Sequence, residues 1–254
     1  EAAVITNIGD AHMLQLGSRD GIARAKLEIV RGMEGGGLLV VPEGEPLIAR
    51  HLPAAGAAGP LNIVTFGEEE GCAVRLESVE VDGGGTSFRV AGSSETFYIP
   101  LPGRHNARNA LAAVAVARHY GVDDAAIAEG LRNYTPTGMR MERVAARCGA
   151  TVWNDAYNAS PVSMRAALEL LAEIRGYRRK FAVLGDMLEL GPGEIEMHRG
   201  VAAFLDPARI DFVYTCGRLG NEIAAAASGR FPEGAVKSFA TKEELAGELE
   251  RAAR

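Results

Sequence analysis

The sequence predicts a two-domain α/β protein, and three features of the chain support this prediction. Short apolar runs alternate with segments of helical period along most of the chain. Between Cys72 and Leu101 the period changes to two residues, which is typical of antiparallel hairpins. Beyond the break at 135–138, strands and helices alternate regularly, which indicates a parallel sheet. We therefore expect a mixed sheet with helices over residues 1–136 and a Rossmann-like domain over 137–254.

The first domain begins with a short apolar strand and a polar turn that runs to Ser18. Buried strands are predicted where apolar runs are short and continuous, and helices where apolar residues recur every three or four positions. The predicted elements are a strand at 4–6, a helix at 21–33, strands at 38–41 and 61–66, hairpins within 72–101, and helices at 107–120 and 123–133.

The second domain has a simpler pattern, since nearly every apolar run is followed by a helical segment. Helices of this length between strands imply parallel pairing. Strands are predicted at 141–146, 151–153, 181–184, 212–215 and 236–239, with helices near 161–174, 194–205, 219–227 and 242–253.

Composition excludes several classes of protein. The net charge of −6 argues against non-specific nucleic-acid binding, which needs basic patches. No segment is long and apolar enough to cross a membrane, and the first residues do not form a signal peptide. The cysteines (Cys72, Cys148 and Cys216) are scattered, as expected of reduced thiols in the cytoplasm. We expect a cytoplasmic protein without nucleic-acid partners or membrane insertion, cut from a longer chain; its oligomeric state is not indicated.

His12 and Lys26 are the first candidate site residues. His12 lies in a turn just past a strand end, where a metal or phosphate can reach it. Lys26 is four residues after Ile22 and four before Val30, on the apolar face of the predicted helix, so its amine should lose solvation. A neutral amine can react with CO2 to give a carbamate that binds metal. The alternatives are a turn histidine bonded to the backbone and a lysine whose ammonium group reaches water.

Asn106 and Asn109 open the alanine-rich helix of the first domain. Asn106 suits an N-cap, and Asn109 follows in the first turn. An asparagine amide places a donor beside an acceptor, which matches one edge of adenine. The alternative is a capped helix without a ligand.

The second domain carries acidic residues directly after two strands. The segment Asp155-Ala-Tyr157-Asn158-Ala-Ser160-Pro161 follows one strand, and Asp186 follows another. Ligands bind beyond the carboxyl ends of parallel strands, so a ribose hydroxyl or an amine is a natural partner for these acids. Arg140, near the domain boundary, could bind a phosphate, although most such arginines are solvated. Glu194, Glu196 and His198 are predicted to form a charged surface face.

Taken together, these segments resemble the Mur ligases, in order and over most of the chain. The matching segments are Thr6-Asn-Ile-Gly-Asp-Ala-His12, Ala25-Lys26-Leu-Glu-Ile29, Pro102-Gly-Arg-His-Asn106-Ala-Arg-Asn109, Gly138-Met-Arg140-Met-Glu142, Asp155-Ala-Tyr157-Asn158-Ala-Ser-Pro161 and Val183-Leu-Gly-Asp-Met-Leu-Glu-Leu-Gly191. The last two favour the members that add D-alanyl-D-alanine.

The resemblance implies a central ATPase domain followed by a Rossmann-like C-terminal domain. It implies ATP-driven amide formation through an acyl-phosphate with Mg²⁺, joining D-alanyl-D-alanine to UDP-MurNAc-tripeptide in peptidoglycan synthesis. His12 and carbamylated Lys26 would bind Mg²⁺. Asn106 and Asn109 would hold adenine, Arg140 would meet the terminal phosphates, and Asp155 would bind the ribose. Tyr157 and Asn158 would line the nucleotide.

The chain departs from the family pattern in several places. It contains no G-x-x-x-x-G-K-[ST] phosphate loop. This loop, the family's catalytic glutamate and its UDP-binding domain are expected upstream, and its last strand downstream. Ser160 stands where the family usually has Asn. We expect these residues alone not to turn over ATP. The alternatives are another Mur or folylpolyglutamate-type ligase and a non-catalytic nucleotide-binding module.

Overall fold

A computed structural model describes residues 1–252 of the chain. The chain divides into two compact units, Glu1–Thr135 and Pro136–Arg254, each described by itself below. Among the described residues, the helices are too short or too polar to span a membrane.

The first unit is built on a six-stranded mixed sheet with its strands in chain order. The strands from β1 to β4 pair in parallel, and those from β4 to β6 pair antiparallel, as the change of period predicted. The strands are β1 (Ala2–Val4), β2 (Leu38–Pro42), β3 (Asn62–Gly67), β4 (Val74–Val81), β5 (Thr86–Val90) and β6 (Thr96–Ile99).

Helices cover both faces of this sheet. They are α1 (Met13–Leu16), α2 (Arg19–Leu27), α3 (Pro46–His51), α4 (Arg104–His119) and α5 (Asp124–Arg132), and a 3-10 turn over Glu28–Gly32 extends α2. Strand β2 is buried on both sides, which explains its unbroken apolar run. Leu38 and Val40 belong to the core under α4, whereas Leu39 and Val41 belong to the core under α2 and α3.

The second unit contains a hairpin and a three-stranded parallel sheet. Strands β7 (Glu142–Ala145) and β8 (Thr151–Asn154) pair antiparallel. Strands β9 (Phe181–Leu184), β10 (Phe212–Cys216) and β11 (Val236–Phe239) are parallel, in the order β11-β10-β9. The helices are α6 (Pro161–Glu173), α7 (Glu194–Val201), α8 (Gly220–Ala227) and α9 (Lys242–Ala252). The apolar faces of α6, α7 and α8 share one core with β9 and β10 that includes Leu168, Met187, Val213 and Ile223.

The prediction that all the strands of this unit belong to one parallel sheet was wrong for β7 and β8. A tight turn joins them, in which Gly149 adopts a φ of 85° and its N–H donates to Ala146 O at 2.9 Å. Parallel strands need a long crossover connection, and this turn is too short to provide one.

Candidate functional site

The turn Gly138–Met141 has an unusual backbone. Met139 and Met141 adopt positive φ angles of 59° and 50°, on either side of Arg140. Non-glycine residues seldom occupy this region, and strain of this kind persists only where surrounding contacts impose it. The turn therefore needs specific partners, and the adjacent hairpin supplies them.

Three hydrogen bonds fix the turn. The Met139 N–H donates to Glu142 Oε2 at 2.9 Å, and the Met141 N–H donates to Asp155 Oδ1 at 3.1 Å. The Tyr157 N–H in turn donates to Met139 O at 3.2 Å. Asp155, at the end of β8, thus ties the turn to the strand end and sets the backbone on either side of Arg140.

Arg140 lies over the face of Tyr157, with its guanidinium carbon 4.2 Å from the ring centroid. This is a cation–π contact, which orients the guanidinium without neutralising it. Tyr157 is 61% exposed and Arg140 is also exposed, so the planar fork of donors remains accessible to an anion.

The Asp155 carboxyl is half-buried beside this arginine. Burial raises its pKa above the usual range, and the Met141 N–H and the charge of Arg140 oppose that shift. Arg140, Asp155 and Tyr157 therefore form one cluster. We use the name arginine turn for these three residues and Met139, Met141 and Glu142, which shape the turn around them. Within residues 1–252, no contact joins the Asn158 side chain to the arginine turn. Asn158 is exposed, and its Oδ1 accepts a hydrogen bond from the Ala159 N–H at 2.9 Å.

Glu142 was not predicted as a site residue, although it holds the turn through Met139. Its Oε2 also accepts a weak hydrogen bond from Asn154 Nδ2 at 3.5 Å. The available signal was an acid two residues after an arginine at a glycine-marked turn. The sequence does not indicate the strained φ angles of Met139 and Met141, because methionine is not typical of that backbone region.

Lys26 and His12 lie in the first unit, Lys26 in α2 and His12 at the start of α1. Lys26 Nζ donates to Asn7 O at 2.8 Å and lies 3.4 Å from Asn7 Oδ1. Lys26 is exposed, whereas the sequence predicted a position on the apolar face of the helix. Desolvation by the surrounding protein nevertheless lowers the pKa of the Lys26 amine. His12 is exposed, with a φ of 64°, at the start of α1.

The predicted metal site has few protein ligands of the ordinary kinds. Within residues 1–252, no group of three or more His, Cys, Asp and Glu side chains is arranged to hold a metal ion. A lowered pKa at Lys26 favours the neutral amine, and this is the form that carbamylation requires. The chemistry of the amine therefore fits the predicted modification, which would supply carboxylate oxygens that an unmodified lysine lacks.

The prediction that Asn106 caps its helix was wrong. Helix α4 begins at Arg104, and its N-cap is Gly103, whose φ of 120° suits only glycine. Asn106 lies in the first turn and its Nδ2 donates to Pro102 O at 2.9 Å. Asn109 is exposed one turn further along. The two amides lie on neighbouring positions of the same helix face.

The prediction that Glu194, Glu196 and His198 form a charged surface face was wrong for His198, which is fully buried. Its Nε2 accepts the Met187 N–H at 2.8 Å, so Nδ1 carries the proton and donates to Glu194 O at 2.6 Å. His198 faces inward because it shares the inner side of α7 with Val201.

Asp186, the second strand-end acid, caps a helix. Its Oδ1 accepts the Leu219 and Gly220 N–H groups at 2.9 and 2.7 Å, at the start of α8. These are orphan donors of a helix N-terminus, so the contact is a structural cap. We call Asp186, Met187 and His198 the buried turn.

Comparison with known families decides the identity of the fold. The Mur ligase middle domain matches residues 1–117, and the Mur ligase, glutamate ligase domain matches residues 139–254. The chain belongs to the Mur ligase family. The family and the fold class predicted from the sequence are thereby confirmed.

Similar Mur ligases include two curated enzymes and a solved structure. The chain is 42% identical over 245 residues to UDP-N-acetylmuramoyl-tripeptide–D-alanyl-D-alanine ligase of Bacillus subtilis, covering 96% of this chain and 52% of that one. It is 32% identical to the Escherichia coli enzyme of that name, covering 96% and 52%. A crystal structure of MurF from Acinetobacter baumannii matches with a TM-score of 0.82 and 31% identity, over 99% of this chain and 54% of that one. The chain spans about half the length of the curated relatives it matches.

Proposed function

We propose that the full-length protein is an ATP-dependent ligase that adds D-alanyl-D-alanine to UDP-MurNAc-tripeptide in peptidoglycan synthesis. Members of the Mur ligase family are ATP-dependent ligases, and the relatives named above carry the D-alanyl-D-alanine activity in their names. The single observation in this chain that best supports the proposal is the arginine turn, since it presents an exposed guanidinium beside a strand-end carboxylate.

Arg140 is proposed to bind the terminal phosphates of ATP. A carboxylate is a poor electrophile, so the ligase first converts it to an acyl-phosphate, and negative charge develops on the transferred phosphoryl group. A guanidinium fork offsets that charge through paired hydrogen bonds. The fixed backbone on either side of Arg140 reduces the entropy lost when the fork engages the phosphate.

Asp155 is proposed to accept hydrogen bonds from the ribose, with Tyr157 and Asn158 beside the nucleotide. One oxygen of Asp155 already holds the Met141 N–H. A carboxylate has two oxygens and about four acceptor positions, so it can hold the turn and a hydroxyl together. Binding of a ribose would thus be coupled to the same group that shapes the arginine turn.

Asn106 and Asn109 are proposed to contact adenine. Asn106 donates one amide N–H to Pro102 O, and an amide has a second N–H and a carbonyl oxygen for a base. Asn109 is exposed one turn along the same helix face.

His12 and carbamylated Lys26 are proposed to bind Mg²⁺. A bound Mg²⁺ would offset negative charge on the phosphates. The chain's own contribution is the Asn7 carbonyl, which holds the Lys26 amine in place while desolvation favours its neutral form.

Two other functions remain as candidates. Another ligase of the superfamily, such as a folylpolyglutamate synthase, would share the ATP chemistry but differ in its substrates. A non-catalytic nucleotide-binding module would keep the scaffold alone. Free cysteines at Cys72, Cys148 and Cys216 support a reducing, cytoplasmic location for any of the three.

An assay of phosphate release tests the proposal. The full-length protein should release phosphate only when ATP, UDP-MurNAc-tripeptide and D-alanyl-D-alanine are all present, and the 254 residues alone should not. Activity with glutamate and a folate in place of these substrates would favour the first alternative. Nucleotide binding without turnover of any acceptor would favour the second.

Carbon-13 NMR with labelled bicarbonate tests the proposed carbamate. Lys26→Arg should abolish the carbamate signal. Lys180→Arg is the matched control, because desolvation also lowers the pKa of Lys180. A signal that survives in Lys26→Arg would remove Lys26 from the proposed metal site.

A further inference from the structure

The segment between α6 and β9 is strongly basic, and the proposed ligase reaction makes no use of it. It has the sequence Arg175-Gly176-Tyr177-Arg178-Arg179-Lys180, within a chain whose net charge is −6. A charged surface run is usually solvated on a convex face. This segment instead borders a shallow, open cavity, into which exposed and half-buried cations of the run face.

The cavity next to this segment has a volume of about 350 Å³. Four cationic side chains and one carboxylate contribute to its lining, which gives it a local charge of +3. The volume is in the range of small-molecule sites, roughly 300–1,000 Å³. The charged lining residues are Arg175, Arg178, Lys180, Arg209 and Asp211. We call this cavity the basic cavity.

The single carboxylate is already engaged within the protein. Asp211 Oδ2 accepts the backbone N–H of Lys180 at 2.7 Å, and the Asp211 N–H donates back to Lys180 O at 3.0 Å. These bonds tie together the N-terminal ends of β9 and β10. Lys180 Nζ donates to Ala172 O at 3.0 Å, which turns the ammonium toward the end of α6.

The arginines of the basic cavity lack acidic partners. Within residues 1–252, Arg175, Arg178 and Arg209 form no ion pair, whereas other arginines of this unit do. Arg218, for example, lies 2.6 Å from Glu194. Burial lowers the pKa of Lys180, and the nearby charge of Arg209 adds to the effect while Asp211 opposes it, so Lys180 and Arg209 repel each other. A bound anion would relieve that repulsion.

The basic cavity also lies at the opposite end of β9 from the strand-end acid Asp186. Lys180 and Asp211 precede β9 and β10, whereas Asp186 follows the carboxyl end of β9. We propose that the basic cavity binds a small phosphate-bearing anion, of the size and charge of a diphosphate. Several guanidinium groups suit phosphate oxygens through paired hydrogen bonds. A concave site of this volume fits a small anion better than an extended polymer or a membrane.

Tryptophan fluorescence offers a direct test with the 254-residue chain. Trp153 is its single tryptophan, and the ring lies edge-on to Tyr177, which lines the cavity, at 5.4 Å between centroids. Titration with inorganic pyrophosphate should give a saturable change. Arg178→Ala and Arg209→Ala should each weaken binding about tenfold, since a hydrogen bond to a charged group is lost. The control Arg147→Ala removes an exposed arginine outside the cavity and should leave the affinity unchanged.

The source of the phosphate is distinguished by a second titration. Tighter binding of ADP or UDP than of pyrophosphate, lost in Arg178→Ala, would identify a nucleotide; equal or weaker binding would identify the free ion. The proposal would be overturned by a titration that does not saturate, or by equal weakening in Arg147→Ala. It would also be overturned by loss of binding in Arg140→Ala, or by binding to anionic vesicles without any response to pyrophosphate.

Discussion

Asp155 and Asp186 follow β8 and β9 in the same way, yet the structure uses them differently. Asp186 places one oxygen against two N–H groups at the start of α8, and the next residue, Met187, donates its N–H to the fully buried His198. Asp155 accepts one N–H from a turn with two strained residues, beside an exposed arginine. The buried turn satisfies orphan backbone donors, which stabilises the fold. The arginine turn holds strain and leaves a cation accessible, which stability alone does not require.

The difference shows that a strand-end acid is not by itself a ligand site. What separates the two is the partner: helix N–H groups at Asp186, and a strained, arginine-bearing turn at Asp155. We therefore expect substitutions in the arginine turn to change nucleotide binding and activity, and substitutions in the buried turn to change stability.

The largest effect is expected for Arg140→Ala in the full-length ligase. Removing a guanidinium from a transferring phosphoryl group should lower kcat about 10³-fold. The stability of the protein should change little, because Arg140 is exposed. Steady-state phosphate release measures the first effect and thermal unfolding the second.

Arg143→Ala is the matched control, since Arg143 is an exposed arginine on the adjacent strand. It should leave kcat within about twofold of the unmodified ligase. Equal losses of kcat in Arg140→Ala and Arg143→Ala would mean that Arg140 acts only through the overall charge of the protein.

His198→Ala should have the largest effect on stability. It leaves a cavity and an unbonded Met187 N–H in the core, which together cost about 3 kcal/mol of the free energy of unfolding. Urea unfolding of the 254-residue chain measures the loss. Glu196→Ala, on the exposed side of the same helix, should change it by less than about 0.5 kcal/mol. A small loss in His198→Ala would contradict the structural role of the buried turn.

Asp186→Ala and Asp155→Ala should differ in stability. Asp186→Ala removes a helix cap and should cost about 1–2 kcal/mol. Asp155→Ala should cost less at pH 7, because the penalty for burying a charged carboxylate offsets its one hydrogen bond. Urea unfolding of both variants makes the comparison.

The cost of Asp155→Ala should also depend on pH. The folded chain raises the pKa of Asp155 above the unfolded value of 3.8, so the carboxyl binds its proton more tightly when folded. The stabilisation from this difference is fully present below pH 3.8 and is lost as pH rises through the folded pKa. Asp155→Ala should therefore cost more near pH 4 than at pH 7. The reverse trend would mean that Arg140, rather than burial, dominates at Asp155.

The sequence predicted most of the elements and the motifs, but not the contacts that separate the two turns. Period and run length located β2 and α6, because burial imposes them directly. The orientation of β7 and β8 was missed although the short turn was visible. The burial of His198 was not predicted, because its neighbours in the sequence are acidic and favour a surface position. The strain at Met139 and Met141 depends on contacts with residues that are distant in the sequence.

Nucleotide affinity in the full-length ligase decides whether the arginine turn, and not the buried turn, binds ATP. ADP binding to Asp155→Ala and Asp186→Ala can be measured by calorimetry, below the unfolding temperature of each variant. We expect the affinity to be weakened about tenfold or more in Asp155→Ala and to be unchanged within about twofold in Asp186→Ala. Unchanged affinity in Asp155→Ala, or a larger loss in Asp186→Ala, would rule out the arginine turn as the nucleotide site.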